Sequence, residues 1–248
     1  IYGYTLHETP TPEGWTCTGC EVNANQCGTV LAWQAIYGGW TLNVGDNRYS
    51  GLLPKEKGPN GKLQFNQTEA ANHRAISAQI FVAGGVLGWT EMIGEQCGGS
   101  PCPSGGSVNW TNFVGLSDAD MAYTRLLATT KVTASKYLVH GRLWRQPQWN
   151  VPVPTINVND YSACTSYRHS QICPSCPTAQ VLAECWLADD GTFAVVATNH
   201  ADVELTLNVT VDLSAVGAAR PWLVTVVKAM PPKSVEVAEL EPTTHAIW

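Results

Sequence analysis

Residues Met121, Tyr123, Leu126, Leu127, Thr130, Ala134, Tyr137 and Leu138 recur at three- and four-residue spacing, the period of one face of a helix. Ser117 can cap that helix, Asp120 stands at its third position, and Gly141 stops it. At about 1.5 Å per residue the helix is roughly 34 Å long. A second helix is expected over Glu69 to Ala83, which is rich in alanine, holds no internal Gly or Pro, and ends at Gly84-Gly85. Two short apolar runs bounded by glycine, Val30 to Tyr37 and Val86 to Thr90, fit buried strands, with another run from Trp40 to Val44 between them. Beyond residue 180 the texture changes. Val181–Leu187, Thr192–Asn199, Glu204–Val211, Trp222–Lys228 and Ser234–Leu240 are short, β-branched and often alternating, and turns such as Asp189-Asp190-Gly191 divide them. This pattern predicts a small antiparallel β-sandwich.

Between these elements the chain loses its period. Residues 1–28 carry Pro10, Pro12, Gly14, Gly19 and three cysteines and read as a bridged loop; 46–68 and 91–116 are long polar or Gly/Ser/Cys loops; 146–178 hold five prolines and three cysteines. The expected organisation is therefore an N-terminal loop region (1–28), a segment of βα units (29–147), a Cys/Pro-rich linker (148–179) and the sandwich (180–248). Strand, loop, helix repeated twice gives only two βα units. Two cannot close a barrel or cover both faces of a sheet, so further strands are expected from upstream sequence or from a second, disulfide-linked polypeptide.

Nine cysteines, Cys17, Cys20, Cys27, Cys97, Cys102, Cys164, Cys173, Cys176 and Cys185, lie mostly in those loops. Clustering of this kind points to bridges made in an oxidising compartment. An odd number leaves at least one without an internal partner, either free or bonded to another chain. Eight bridged cysteines alone allow 105 connectivities, and the spacing of Cys164, Cys173, Cys176 and Cys185 suggests a local cluster. Cys17-Thr-Gly-Cys20 and Cys173-Pro-Ser-Cys176 lie too far apart in sequence for an ordinary four-thiolate zinc site, and Cys173–Cys176 lacks the strand-to-helix context of a redox motif. No metal and no cofactor is expected. Three triplets, Asn66-Gln-Thr68, Asn109-Trp-Thr111 and Asn208-Val-Thr210, are N-glycosylation acceptors and support a secreted or lumenal protein. The chain opens on Ile1 with no secretory signal, so a segment removed upstream is expected. A net charge of −6 without a Lys/Arg cluster argues against nucleic acid and anionic membranes as partners. The longest apolar stretch, Ile76 to Trp89, is too short to span a bilayer.

The run Leu31-Ala-Trp-Gln-Ala-Ile-Tyr-Gly-Gly-Trp40, the helix leading into Phe81-Val-Ala-Gly-Gly-Val-Leu-Gly-Trp89, and Tyr137-Leu-Val-His-Gly-Arg-Leu-Trp144 together resemble the late part of glycoside-hydrolase-like (β/α)8 barrels. The sequence from Val181 onward, with Trp186, Asp190-Gly191 and Ala197-Thr-Asn199, is similar to the all-β domain that follows the last barrel helix there. The resemblance covers about residues 29–145 and 180–248 and lies in order and texture more than in a diagnostic motif. It implies an α/β plus all-β fold, an incomplete (β/α)8-barrel-like segment followed by the β-sandwich. Val30–Tyr37 and Val86–Thr90 would be the last two barrel strands, and Tyr37, Trp40, Trp89 and Glu91 would face the active-site mouth. Aromatic rings stack on sugar faces, and a carboxylate binds hydroxyls or exchanges a proton. Equally, tryptophans pack cores more often than they face ligands.

Glycosidic cleavage uses two carboxyl groups. Glu91 is the best local candidate, with Glu95 and Asp46 behind it, although each reads as readily as a solvated loop carboxylate, and the catalytic pair of such barrels is commonly carried by middle strands. His73 and His140, in or beside helices without triad partners, read as helix-surface residues. Two functions follow as expectations: the C-terminal part of a secreted glycoside-hydrolase-like glycoprotein acting on or binding carbohydrate, inactive by itself, or a catalytically inactive extracellular structural or carbohydrate-binding glycoprotein in an assembly.

Overall fold

The computed structural model describes residues 44–45, 55–57, 63–65, 67–87, 116–159, 175–213 and 223–240. In chain order these form β1 (Val44–Gly45), β2 (Lys55–Lys57), β3 (Leu63–Phe65), α1 (Gln67–Val82), β4 (Val86–Leu87), α2 (Asp118–Thr133), α3 (Ser135–Leu138), β5 (Arg142–Leu143), β6 (Gln148–Trp149), β7 (Thr155–Asn159), β8 (Ser175–Ala179), β9 (Val181–Leu187), β10 (Phe193–Asn199), β11 (Leu205–Asp212), β12 (Leu223–Met230) and β13 (Ser234–Leu240). Antiparallel sheets dominate, and helices are few.

Both helix stops follow from glycine. Gly84 adopts φ 72°, its N–H donates to Phe81 O at 2.9 Å, and the Gly85 N–H donates to Ile80 O at 2.8 Å. That pair of bonds is a Schellman motif closing α1. At the other end of the helical layer, a Cβ on Gly141 would lie 2.5 Å from Tyr137 O and 2.9 Å from Leu187 O, so only glycine lets the chain pass between α3 and β9.

α2 starts where its sequence says: Ser117 Oγ accepts from the Asp120 N–H at 3.2 Å. The helix expected to run unbroken to Leu138 is interrupted at Ala134 (φ −98°, ψ 27°) and resumes as α3. Its buried stripe, Asp120, Tyr123, Thr124 and Leu127, continues through Ala134, Tyr137 and Leu138 across the break. The apolar face thus persists although the axis does not.

One sheet orders its strands β13-β10-β9-β5, the other β12-β11-β6, and all neighbours are antiparallel. The sheets share one core, to which Val181, Cys185, Phe193 and Val195 contribute from the first and Leu207, Val209 and Val211 from the second. The opposite face of the first sheet, with Trp186, Ala194 and Val196, packs against Phe81 and Val82 of α1, Tyr123 and Leu127 of α2, and Tyr137 of α3. Every residue of β10 is therefore buried, whereas β11 alternates inward Leu207, Val209 and Val211 with outward polar residues. A separate parallel pair, β1 with β4, flanks α1 in sequence.

Three expectations are revised. Part of the span read as a linker is paired chain: Gln148–Trp149 joins the second sheet, and Thr155–Asn159 pairs with Ser175–Ala179, so Cys176 lies on a strand rather than in a loop. Cys185 is a free, fully buried thiol between the two sheets, because its β9 position points inward with Val181 and Ala183; it leaves the set of candidate bridge cysteines. His73 is buried at 2 % exposure, since α1 is covered on most of its circumference, while His140 stays exposed. The other eight cysteines' bridges and the Val30–Tyr37 strand lie outside the described residues or side chains.

The helices are fastened to the sheets by ions. Arg74, with its side chain 5 % exposed, donates from Nη1 to Asp120 Oδ1 at 2.8 Å, from Nη2 to Asp202 Oδ2 at 2.7 Å and from Nε to the His200 carbonyl at 3.0 Å. Lys233 Nζ completes the cluster at 3.3 Å from Asp120 and 3.0 Å from Asp202. Burial works to raise the Asp120 carboxyl, but the Ser117 hydroxyl, Arg74 and Lys233 outweigh it and hold it below its usual range. Removing one member of a buried pair strands the other. Arg74→Ala is expected to lower stability by about 3–5 kcal/mol, read from the urea midpoint, with Arg74→Lys recovering only part of it because the three-way fork is lost. A loss under about 1 kcal/mol would class the cluster with ordinary surface pairs.

Candidate functional site

Most polar side chains buried in this layer have obvious structural partners. Asn199 Nδ2 donates to Val203 O, Met230 O and Pro231 O at 2.8–2.9 Å while its Oδ1 accepts from the Ala201 N–H. Thr198 Oγ1 donates to Ser234 O at 3.0 Å, so the Tyr123 hydroxyl, 2.8 Å away, is the donor in their contact. The Trp186 indole N–H donates to Val82 O at 3.1 Å.

Glu184 differs. It sits on β9 in an otherwise apolar run, on the side-chain row of Leu182 and Trp186 that faces the helices, and is 5 % exposed. Its Oε1 accepts from Gln146 Nε2 at 3.1 Å, and its Oε2 finds no partner among the described residues. Beside it lies a cleft of about 150 Å³ lined by Gln79, Val82, Gln146, Pro147, Trp149, Ala179 and residues 181–184. Burial pushes the carboxyl up to about 7, and the Gln146 hydrogen bond offsets only part of that. A carboxyl poised near neutrality can accept a hydrogen bond from a hydroxyl or amine when ionised and donate one when protonated. Alone it cannot perform two-carboxylate glycosidic cleavage. The adjacent Cys185 thiol, pushed up to about 12 by burial and by the Glu184 charge, is inert as a nucleophile.

His200 is the other buried titrating group. Its Nε2 lies 2.9 Å from Ala179 O; a carbonyl only accepts, so Nε2 carries the proton. Nδ1 has no partner among the described residues, and burial holds the ring down to about 4, keeping it neutral. Lys131, held down to about 8 by burial, donates to the carbonyls of Gly84 and Leu138. It caps the ends of both helical segments. Among the described residues no group of three or more His, Cys, Asp or Glu is placed to hold a metal ion, and no helix is long and apolar enough to cross a membrane.

Of the residues singled out from sequence, Tyr37, Trp40, Trp89 and Glu91, with Asp46 and Glu95, lie outside the described residues, as do Asn66 and Asn109. In sequence Asp46 follows β1 directly, and Trp89 and Glu91 follow the end of β4 by two and four positions. Asn208 is on β11. Glu184 was missed, although a lone charge inside Val181–Leu187 was a readable signal.

No family model matches the chain, and no curated protein does. Two solved structures show a partial likeness: a GH27 β-L-arabinopyranosidase from Geobacillus stearothermophilus and a variant of the same enzyme in complex with arabinose. Each is 12% identical with a TM-score of 0.32, over 86% of this chain and 40% of the other. The chain thus spans less than half the length of these structures, and a score of that size does not establish a common fold.

The two buried groups act on stability in opposite directions. Unfolded, Glu184 ionises near 4.5, but folded it holds its proton to about 7, so stability falls as pH rises through that interval and stays at the lower level above it. For His200 the unfolded ring takes a proton below 6.5 while the folded ring resists to about 4, so stability falls as pH drops through that interval. Where the intervals overlap the slopes offset each other. Glu184→Gln, which mimics the protonated carboxyl, is expected to unfold at a higher temperature than the parent at pH 8. The gain corresponds to on the order of 3 kcal/mol and vanishes below pH 4.5. Equal melting at pH 8 would show that the carboxyl is not desolvated.

Proposed function

We propose that this chain is the C-terminal part of a secreted, disulfide-bonded glycoside-hydrolase-like glycoprotein that acts on or binds carbohydrate. Residues 29–147 would supply the last βα units of a barrel-like domain, and the sheets from residue 180 a β-sandwich behind it, joined by the 148–179 segment and preceded by the bridged 1–28 region. The observation that supports this most is the parallel pairing of β1 with β4 on either side of α1, followed by α2 and then by antiparallel sheets. Parallel strands joined through a helix are the repeating unit of such barrels, although the partner of β4 is Val44–Gly45 rather than the expected Val30–Tyr37.

In this reading the residues just past the ends of the expected strands Val30–Tyr37 and Val86–Thr90 meet substrate. Glu91 would be the carboxylate, with Glu95 close behind it and Asp46 after the earlier strand. Tyr37, Trp40 and Trp89 would offer stacking faces. The second catalytic carboxyl would come from other barrel strands, on upstream sequence or on a disulfide-linked second polypeptide.

The test uses the natural protein, assayed against a panel of aryl glycosides and immobilised polysaccharides. Glu91→Gln is expected to lower kcat by about a hundredfold or more, and Trp89→Ala to weaken binding by about 1 kcal/mol with smaller effect on kcat. Binding without turnover would favour an inactive carbohydrate-binding protein, and neither binding nor turnover would overturn the proposal. If reduction releases no second polypeptide on electrophoresis, the two-chain form of the idea fails.

A further inference from the structure

We propose that Asn208 carries an N-linked oligosaccharide whose first sugars lie across the outer face of the second sheet and cover Val227. The proposal rests on the secretory reading above and adds to it a specific site and a physical role.

β11 alternates strictly, with Leu207, Val209 and Val211 buried in the core, so Asn208 and Thr210 share the outward face two residues apart. Both residues of the acceptor triplet are thus presented to solvent by the same strand. The carbonyl end of Asn208 is held: its Oδ1 accepts from Asn150 Nδ2 at 2.8 Å, and Thr210 Oγ1 donates to Asn150 Oδ1 at 3.1 Å. Oriented in this way, the Asn208 amide nitrogen, the atom a sugar would substitute, has no hydrogen-bond partner among the described residues.

Directly across the ladder from Asn208 stands Val227, which is 62% exposed. Leu223, opposite Asp212, is 61% exposed on the same face. Side chains directly opposite on one face lie about 5 Å apart at Cβ, so a sugar on Asn208 begins within one ring's width of Val227. β12 is also the edge strand of its sheet and eight residues long. A long edge with exposed apolar side chains is a template for pairing with other chains, and a bulky hydrophilic glycan beside it removes that opportunity.

The attachment is a substitution without redox change. Asn208 Nδ2 forms a bond to the anomeric carbon of a lipid-linked oligosaccharide, that carbon's bond to the lipid diphosphate oxygen breaks, and the amide proton leaves with the diphosphate through a transferase base.

The test expresses the full chain in a eukaryotic secretory cell and maps each acceptor by peptide mass spectrometry before and after amidase release of glycans. Occupied Asn208 supports the proposal. Occupancy at Asn66 or Asn109 with Asn208 bare overturns it while leaving the secretory reading intact; no occupancy anywhere overturns both. For the covering role, Asn208→Gln is expected to raise binding of an apolar dye several-fold and to shift the protein towards larger species on gel filtration, and Val227→Thr in that background to reverse both. Enzymatic trimming of the folded, unsubstituted glycoprotein should give the same rise, which separates loss of cover from a folding defect. Dye binding and elution unchanged by trimming would overturn the covering role.

Discussion

The Arg74 guanidinium is the constraint on which this architecture turns. It is buried, carries a charge, and reaches two separate parts of the chain through three bonds: the first turn of α2 at Asp120, and the turn after β10 at the His200 carbonyl and the Asp202 side chain. Burying such a charge is unfavourable unless every donor is met and the charge is balanced. Asp120 and Asp202 balance both its charge and that of Lys233, which enters from the turn between β12 and β13 with a left-handed backbone (φ 53°). Because the cost of a partial arrangement is high, the network tolerates only one relative placement of α1, α2 and the two turns. Apolar contacts supply the bulk of the packing, but they are non-directional; the ion cluster selects which packing is adopted.

That selection explains what sequence could and could not disclose. The Ser117 cap was legible because Ser and Asp at this spacing satisfy the N-terminal amides locally. β9 and β13 match the expected runs end to end, since turn residues punctuate them. β10 is legible as a strand but not as a doubly covered one: Phe193-Ala-Val-Val-Ala-Thr-Asn199 hides its two faces because both are buried. The two-residue strands β5 and β6 are too short to show any period, and β6 lies in a proline-rich stretch besides. Arg74 was least legible of all. Its partners are 46, 126 and 128 positions away, and nothing near it in an alanine-rich helix marks it as central.

The candidate cleft was illegible for a related reason. Glu184 occupies a strand position that alternation assigns to the interior, and a lone carboxylate there looks like an interruption. Its meaning depends on Gln79, Gln146 and Trp149, which come from α1 and from the segment after β5. The result is a carboxyl with one oxygen engaged and one free, in a site too dry to ionise it at its ordinary pH. His200, buried with Nδ1 unpaired, imposes the opposite pH response. Two unfavourable burials of opposite sign offset each other's contribution to stability across the pH range where they overlap.

The same network bears on the residues that the functional reading places at a substrate mouth. α1 is clamped at Arg74, and its last turn is clamped again by the Trp186 indole donating to Val82 O and by Lys131 donating to Gly84 O. The Schellman turn at Gly84-Gly85 then delivers the chain into β4 within a few residues. With so few rotatable bonds between the clamp and the strand, the placement of β4, and through it of β1, is inherited from contacts with the antiparallel sheets. The antiparallel sheets thereby fix β1 and β4, because the helix between those strands is anchored on them. Positional errors of about 1 Å can cost a hundredfold in rate, so under the proposed reading the sheets would contribute to function through geometry.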